Sequence, residues 1–181
     1  MHEPDPYVLE AARRGDVDAF AELVRGYQPD VWRLVVHLVR DDDMANDITQ
    51  DAFVRAYRFL KRYRGDSKFS TWLFAIARNC AHDELRRRGR QRRVSERLLA
   101  QPGSTSSTDR TGGIEVREAL ATLPLDLREP VVMIDMFGAS YKEVGRMLRV
   151  PEGTVKSRVH RARELLAAFL AEPKEETTGD S

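Results

Sequence analysis

Scarcity excludes a good deal of chemistry from this 181-residue chain before any motif is considered. Its single cysteine, Cys80, rules out an internal disulfide and fits a reducing compartment. On its helix Cys80 reads as a core residue rather than a redox sensor. The four histidines, His2, His37, His82 and His160, are too scattered for a metal site. There is no phosphate-cradling glycine loop, nucleophile elbow or acidic pair in apolar surroundings. No enzymatic activity, metal or cofactor is therefore expected. Apolar stretches such as residues 165–170 fall far short of the roughly 18 residues that a spanning helix requires. The opening Met1-His2-Glu3-Pro4-Asp5 lacks the basic and apolar regions of a secretory signal, so a cytoplasmic protein is expected.

Net charge is also scarce. Thirty Lys and Arg stand against 29 Asp and Glu, giving +1, which at face value argues against a polyanionic partner. The sum hides opposing blocks. Residues 41–51 carry −5, residues 54–93 carry +10 and residues 142–163 carry +5. Two basic blocks far apart in sequence point to two contact regions for a polyanion, each with a local field.

Helical periodicity dominates, and the fold class expected is all-α. Asp5-Pro6 opens a short helix that Gly15 ends, and Asp16 caps the next. Gln28-Pro29-Asp30 is expected to break the chain before another helix at 31–40. The Asp41-Asp42-Asp43 run caps a long amphipathic helix reaching about Arg62. After a turn at residues 64–67, Ser70 begins a helix running to the Arg86-Arg87-Arg88 cluster. Residues 89–113, with Pro102-Gly103, a Ser/Thr run and Gly112-Gly113, read as a flexible linker. Four shorter helices follow, at residues 115–123, about 128–137, 141–148 and 152–170. Two small helical domains, 1–88 and 114–171, are thus expected around the linker, with a disordered tail at 172–181.

Residues 140–163 have helix-turn-helix spacing. Val144, Met147 and Leu148 give the first helix an apolar face, and Val150 plugs the turn. Val155, Val159, Ala162, Leu166 and Phe169 form the inward stripe of the second. Lys156, Ser157, His160, Arg161 and Glu164 then face outward near the helix start, the part that enters a major groove. Arg146, Arg149, Arg158 and Arg163 are placed for phosphates. Glu152-Gly153-Thr154 adds backbone N–H groups and a hydroxyl at a helix N-terminus, also suited to a phosphate.

In the first half, two stretches resemble region 2 of bacterial sigma factors. One is Asp47-Ile48-Thr49-Gln50-Asp51-Ala52-Phe53-Val54-Arg55-Ala56-Tyr57. The other is Tyr63-Arg64-Gly65-Asp66-Ser67-Lys68-Phe69-Ser70-Thr71-Trp72, continuing to Asn79. Residues 123–170, including Gly153-Thr154-Val155-Lys156-Ser157-Arg158, resemble region 4. The two motifs in this order, with only a short linker between, resemble an extracytoplasmic-function (group IV) sigma factor over residues 7–88 and 114–170.

That resemblance implies a factor that binds core RNA polymerase, recognises −35 and −10 promoter elements, helps melt the promoter and directs initiation at a specific regulon. Asp47, Gln50, Asp51, Val54 and Arg58, on one helix face, would meet the β′ clamp helices, and region 4 the β flap. Arg64, Asp66, Ser67, Lys68, Phe69, Trp72, Asn79, His82, Arg86 and Arg87 would bind the −10 element. The turn and Asn79 together would take a flipped base, and stacking is worth about 1–3 kcal/mol per base. Arg149, Thr154, Lys156, Ser157, Arg158, His160 and Arg161 would bind the −35 element. An anti-sigma partner that clamps both domains is implied, and the free chain is expected to be a monomer. Gly145 departs from the usual Ala and should loosen its helix by about 0.5–1 kcal/mol.

Two rivals remain at this point. A dimeric helix-turn-helix repressor or activator accounts for residues 114–170 but leaves the Asp47–Asp51 face unused. A nucleic-acid-processing enzyme with a metal would use the acidic 41–51 block, which helix capping explains more simply.

Overall fold

The computed structural model describes residues 3–98 and 114–171, and the expected linker segment 99–113 and tail 172–181 lie outside that range. All regular structure among the described residues is helical. The N-terminal unit comprises α1 (Pro6–Arg14), α2 (Val17–Val39), α3 (Asp42–Phe59) and α4 (Phe69–Leu98). The C-terminal unit comprises α5 (Ile114–Thr122), α6 (Leu125–Val131), α7 (Tyr141–Leu148) and α8 (Glu152–Ala171).

Local chemistry sets the starts of four helices. The carboxylates of Asp5, Asp16 and Asp41 accept from the N–H groups of Tyr7, Ala19 and Met44 at 2.7, 3.0 and 2.8 Å. Each satisfies a donor that the helix itself leaves unpaired. Ser140 and Glu143 cap α7 reciprocally. Gly15, at φ 102°, closes α1 in the left-handed region that glycine adopts without strain.

Two boundaries differ from expectation. Pro29 does not break the chain, and α2 runs through it for 23 residues. The buried series Leu23, Tyr27, Val31, Leu34, Val35 and Leu38 stays in helical phase across the proline, so packing outweighs one lost hydrogen bond. Helix α4 likewise continues to Leu98, ten residues beyond its expected end at Arg88. Arg and Gln are good helix formers, and the first strong breaker is Pro102-Gly103. In the C-terminal unit α6 widens into a π-helical turn, Val132–Met136, which Gly138 ends at φ 67°.

Helices α2, α3 and α4 close on one another through small residues. Ala45, Ala52, Ala56, Ala77 and Ala81 are fully buried, which lets backbones approach closely beneath Leu34, Val35 and Leu73. The C-terminal unit builds its core from Val132, Met133, Val144, Val155, Val159 and Ala162.

The two units pack directly together. Arg128, 5% exposed, donates to the carbonyls of His37 and Leu38 at the end of α2, at 3.4 and 3.2 Å. It also holds Leu123 O in its own unit at 2.7 Å. Burial, then the neighbouring Arg40, lowers the Arg128 pKa to about 10, which keeps the guanidinium charged near neutrality. Arg40 reaches back to Ala121 O at 2.9 Å, and Arg117 pairs with Asp42. Phe74 of α4 meets Phe137 edge to face at 4.9 Å.

Candidate nucleic-acid interface

Three surfaces carry the residues that the sequence singles out. The first is the outer face of α3. Asp47, Gln50, Asp51, Val54 and Arg58 are all exposed and share one stripe, because Ala45, Ile48, Ala52 and Ala56 turn the opposite face inward. Val54, Tyr57 and Phe59, between 43% and 47% exposed, add apolar area to this polar face. Asp51 pairs with Arg55 at 2.9 Å, and Arg55 bridges to Asp83 of α4 at 3.0 Å. Hydrogen bonds from Arg86 and Arg55 hold the Asp83 carboxyl below the usual carboxylate range. A cleft of about 500 Å³ lies beside the stripe between α3 and α4, with Asp47, Asp51, Cys80, Asp83 and Arg86 among its lining residues. Cys80 is buried, and desolvation pushes its thiol up to about 12, consistent with a core role.

The second surface is the loop before α4 together with that helix. Arg64, Asp66 and Lys68 are exposed and Ser67 is half-buried. Phe69 corrects the sequence reading: it is 1% exposed and cannot stack on a base. Its ring lies between Tyr27, Tyr63 and Trp72 at centroid distances of 5.3, 5.9 and 5.6 Å. Trp72 is half-buried in the same cluster, its ring 5.2 Å from that of Tyr63. Asn79 is exposed, but ten residues of helix, about 15 Å of rise, separate it from Phe69. The loop and Asn79 thus stand at separate points along the α4 axis.

Further along α4, the cations already have partners. Arg86 bonds Asp83 at 2.7 Å, and Arg87 grips both oxygens of Glu84 at 2.7 and 2.8 Å. Arg78 and His82 are held by the C-terminal unit instead. Arg78 donates to Glu129 at 3.1 Å, and His82 bonds the other oxygen of the same carboxylate. Glu129 is 3% exposed. Nearer the loop, Glu143 lies 3.7 Å from the Lys68 ammonium and accepts from the Thr71 hydroxyl at 3.4 Å. Burial pushes the Glu143 carboxyl up, yet bonds from Ser140 and the charge of Lys68 bring it below its ordinary value. The C-terminal unit thus covers one flank of α4.

The third surface is the start of α8. Lys156, Ser157, His160, Arg161 and Glu164 are exposed, while Val155, Val159 and Ala162 are buried, as the apolar stripe predicts. Arg149 is exposed and turns the chain between α7 and α8 at φ 57°. Thr154 and Arg158 are half-exposed, and the Ser157 hydroxyl donates to Thr154 O at 2.9 Å. Lys156 pairs with Glu152 at 2.9 Å, and His160 and Arg161 both approach Glu164 at 3.4 Å. Arg163, expected at a phosphate, instead grips Asp135 with two bonds of 2.6 and 3.1 Å, fixing α8 to the π-helical turn.

Sequence reasoning missed Arg78, Glu129 and Glu143. Glu143 was within reach, since a serine followed three residues later by a glutamate, as Ser140 is by Glu143, is a capping-box signature. Glu129 carries no sequence signal, because only tertiary packing brings it to α4.

The comparisons with known proteins match the two helical units. Residues 23–91 match the family model for sigma-70 region 2, and residues 114–166 match that for sigma-70 region 4. The RNA polymerase sigma-H factor of Pseudomonas aeruginosa is 35% identical over 182 residues, covering 93% of this chain and 94% of that protein. The ECF RNA polymerase sigma-E factor of Escherichia coli K12 is 34% identical over 177 residues, covering 90% and 92%. Among solved structures, the sigma factor RpoE of Bartonella quintana, in complex with the anti-sigma factor NepR, has a TM-score of 0.74. That likeness spans 85% of this chain and 98% of that one at 28% identity.

Two helical units with these matches define a promoter-recognition and transcription-initiation factor. The chain belongs to the sigma-70 family, in its extracytoplasmic-function branch. That family is a class of initiation factors, not of enzymes. No helix among the described residues is long and apolar enough to cross a membrane.

Proposed function

We propose that the three surfaces divide the work of initiation among them. The α3 stripe, with Asp47, Gln50, Asp51, Val54 and Arg58, docks on the β′ clamp helices of core polymerase. Its carboxylates and exposed apolar side chains suit a basic helical partner. The loop residues Arg64, Asp66, Ser67 and Lys68, with Asn79, His82, Arg86 and Arg87 along α4, bind the −10 element as a single strand. Trp72 contributes only its exposed part and Phe69 only shape. The α8 start reads the −35 duplex through Lys156, Ser157, His160 and Arg161, while Arg149, Thr154 and Arg158 contact phosphates.

The observation that carries this reading is the segregation of polar faces: each motif residue except Phe69 is exposed or half-exposed. Because the C-terminal unit covers one flank of α4, −10 binding requires the units to separate. The likeness to a factor solved with its anti-sigma partner supports a similar regulator for this chain. In this reading the free chain is a cytoplasmic monomer.

Run-off transcription with core polymerase and a promoter library tests the division. Asp47→Arg should weaken core binding about tenfold and leave DNA contacts intact. Asn79→Ala should slow open-complex formation about tenfold and spare core binding, the loss of roughly one base contact. Equal loss of both functions in each variant contradicts the assignment.

A further inference from the structure

The loop that leads into α4 is held by a residue more than sixty positions away. The Phe69 N–H donates to Glu3 Oε2 at 2.8 Å, and the Ser70 hydroxyl donates to Glu3 Oε1 at 2.7 Å. A longer contact of 3.4 Å joins the Ser70 N–H to Oε1. Glu3 thus performs for α4 the service that a local N-cap performs elsewhere in the chain.

The helix needs such a partner. Lys68 occupies its cap position, accepting from Trp72 N at 3.1 Å through its carbonyl, but an ammonium has no acceptor to offer the first N–H groups. Phe69 and Ser70 are each 1% exposed, so water cannot readily replace a missing acceptor. The Ser67 carbonyl is already engaged by the Tyr63 hydroxyl at 2.6 Å. The five loop residues 64–68 therefore have two anchors: Tyr63 to Ser67 within the loop, and Glu3 where it enters the helix.

The sequence around Glu3 prepares it for this task. Glu3 and Asp5 each precede a proline, which biases both toward extended backbone. Asp5 caps α1 at 2.7 Å, so one short segment caps two helices. With Pro4 and Pro6 restricting φ, the carboxylate is presented at little further entropic cost.

We infer that Glu3 is a positioning residue for −10 recognition, fixing the end of the loop whose exposed Arg64, Asp66 and Lys68 meet the melted strand. This rests on the proposed −10 role of that loop. Glu3 need not touch DNA; it sets where Lys68 and Ser67 stand when a base arrives.

The test uses the full chain bound to core polymerase and fluorescein-labelled single-stranded hexanucleotides, each position varied through all four bases. Glu3→Ala should lower affinity for the best hexamer about three- to thirty-fold, the range that loss of a cap spans. It should also compress the preference between best and worst base at the loop-facing position, while core binding is unchanged. Glu3→Gln, which keeps one acceptor oxygen, should restore a good part of both. Uniform weakening across all hexamers with base preference intact would reduce Glu3 to a structural cap and overturn the inference. So would affinity and preference both within twofold of the unaltered chain, provided Lys68→Ala still alters them. If Lys68→Ala and Asn79→Ala are silent as well, the −10 reading itself is wrong and the inference falls with it.

Discussion

Helix α4 and the start of α8, the two proposed nucleic-acid faces, both carry cations, but they differ in what those cations already hold. On α8 the partners are local and wet: Glu152 for Lys156, and Glu164 for His160 and Arg161, all on exposed positions of the same helix. Such pairs are worth about 0–1 kcal/mol and yield readily to a phosphate or a base edge. On α4, Arg78 and His82 share a buried carboxylate from the opposite unit. Breaking a pair of that kind by removing one partner costs about 3–5 kcal/mol. The proposed −35 face is therefore available in the closed arrangement, whereas part of the proposed −10 helix becomes available only on opening. On the proposed division of surfaces, core polymerase binding is a natural source of the free energy for that step.

The sharpest way to break the contrast is to remove Glu129. Glu129→Leu should cost the closed arrangement about 3–5 kcal/mol by stranding Arg78 and His82. Small-angle scattering should show a larger radius of gyration, and single-stranded DNA should bind more tightly. Glu164→Ala, which frees His160 and Arg161 on α8, serves as the opposite case and should change neither quantity. If Glu129→Leu keeps the original dimensions with its helicity intact, the buried carboxylate is not what holds the units together.

Acid should act at the same joint. His37 sits 9% exposed at the end of α2, where burial, and then Arg117, Arg33 and Arg128, lower its pKa from 6.5 to about 4. The unfolded chain binds more protons than the folded one between these values, so stability is complete above pH 6.5 and falls as pH drops toward 4. The loss approaches about 3 kcal/mol by pH 4. The lowered carboxyls of Asp83, Glu84 and Glu143 add losses in the same direction, but only below their ordinary range near pH 4. Denaturant titrations between pH 7 and 5 thus isolate the histidine. His37→Leu should flatten that interval, and an unchanged slope would assign the dependence to another group.

The sequence revealed these features unevenly, for physical reasons. Helix periods, aspartate caps and the outward face of α8 depend on residues three or four apart, and they were legible. The course of α2 through Pro29 was not, because a proline is a local signal and the buried series that overrides it is tertiary. Phe69 was assigned to DNA by its place in a motif, yet its ring fills an aromatic cluster that includes Tyr27, forty-two residues earlier. Glu3 and Glu129 act across 66 and 51 positions, respectively, and no spacing rule reaches that far.

Gly145 offers the finest adjustment, confined to the open side of the contrast. By helix propensity alone, Gly145→Ala should stabilise α7 by about 1 kcal/mol. The structure sets a cost against that gain. A Cβ at this position would stand 3.0 Å from the Val150 carbonyl oxygen and 3.7 Å from Val155 Cγ2. The Val150 oxygen belongs to the turn between α7 and α8, and the Val150 N–H donates back to Gly145 O at 3.0 Å. Relief requires the turn to move by a few tenths of an ångström, and it carries the start of α8 with it. The two terms should nearly cancel in stability, shifting the thermal midpoint by less than about 3 °C. The displacement should appear instead as a two- to three-fold, or about 0.5 kcal/mol, loss of −35 duplex affinity, with single-stranded −10 binding untouched. A midpoint rise of more than about 4 °C with duplex affinity intact would mean that the turn yields freely and that Gly145 is only a weak helix former.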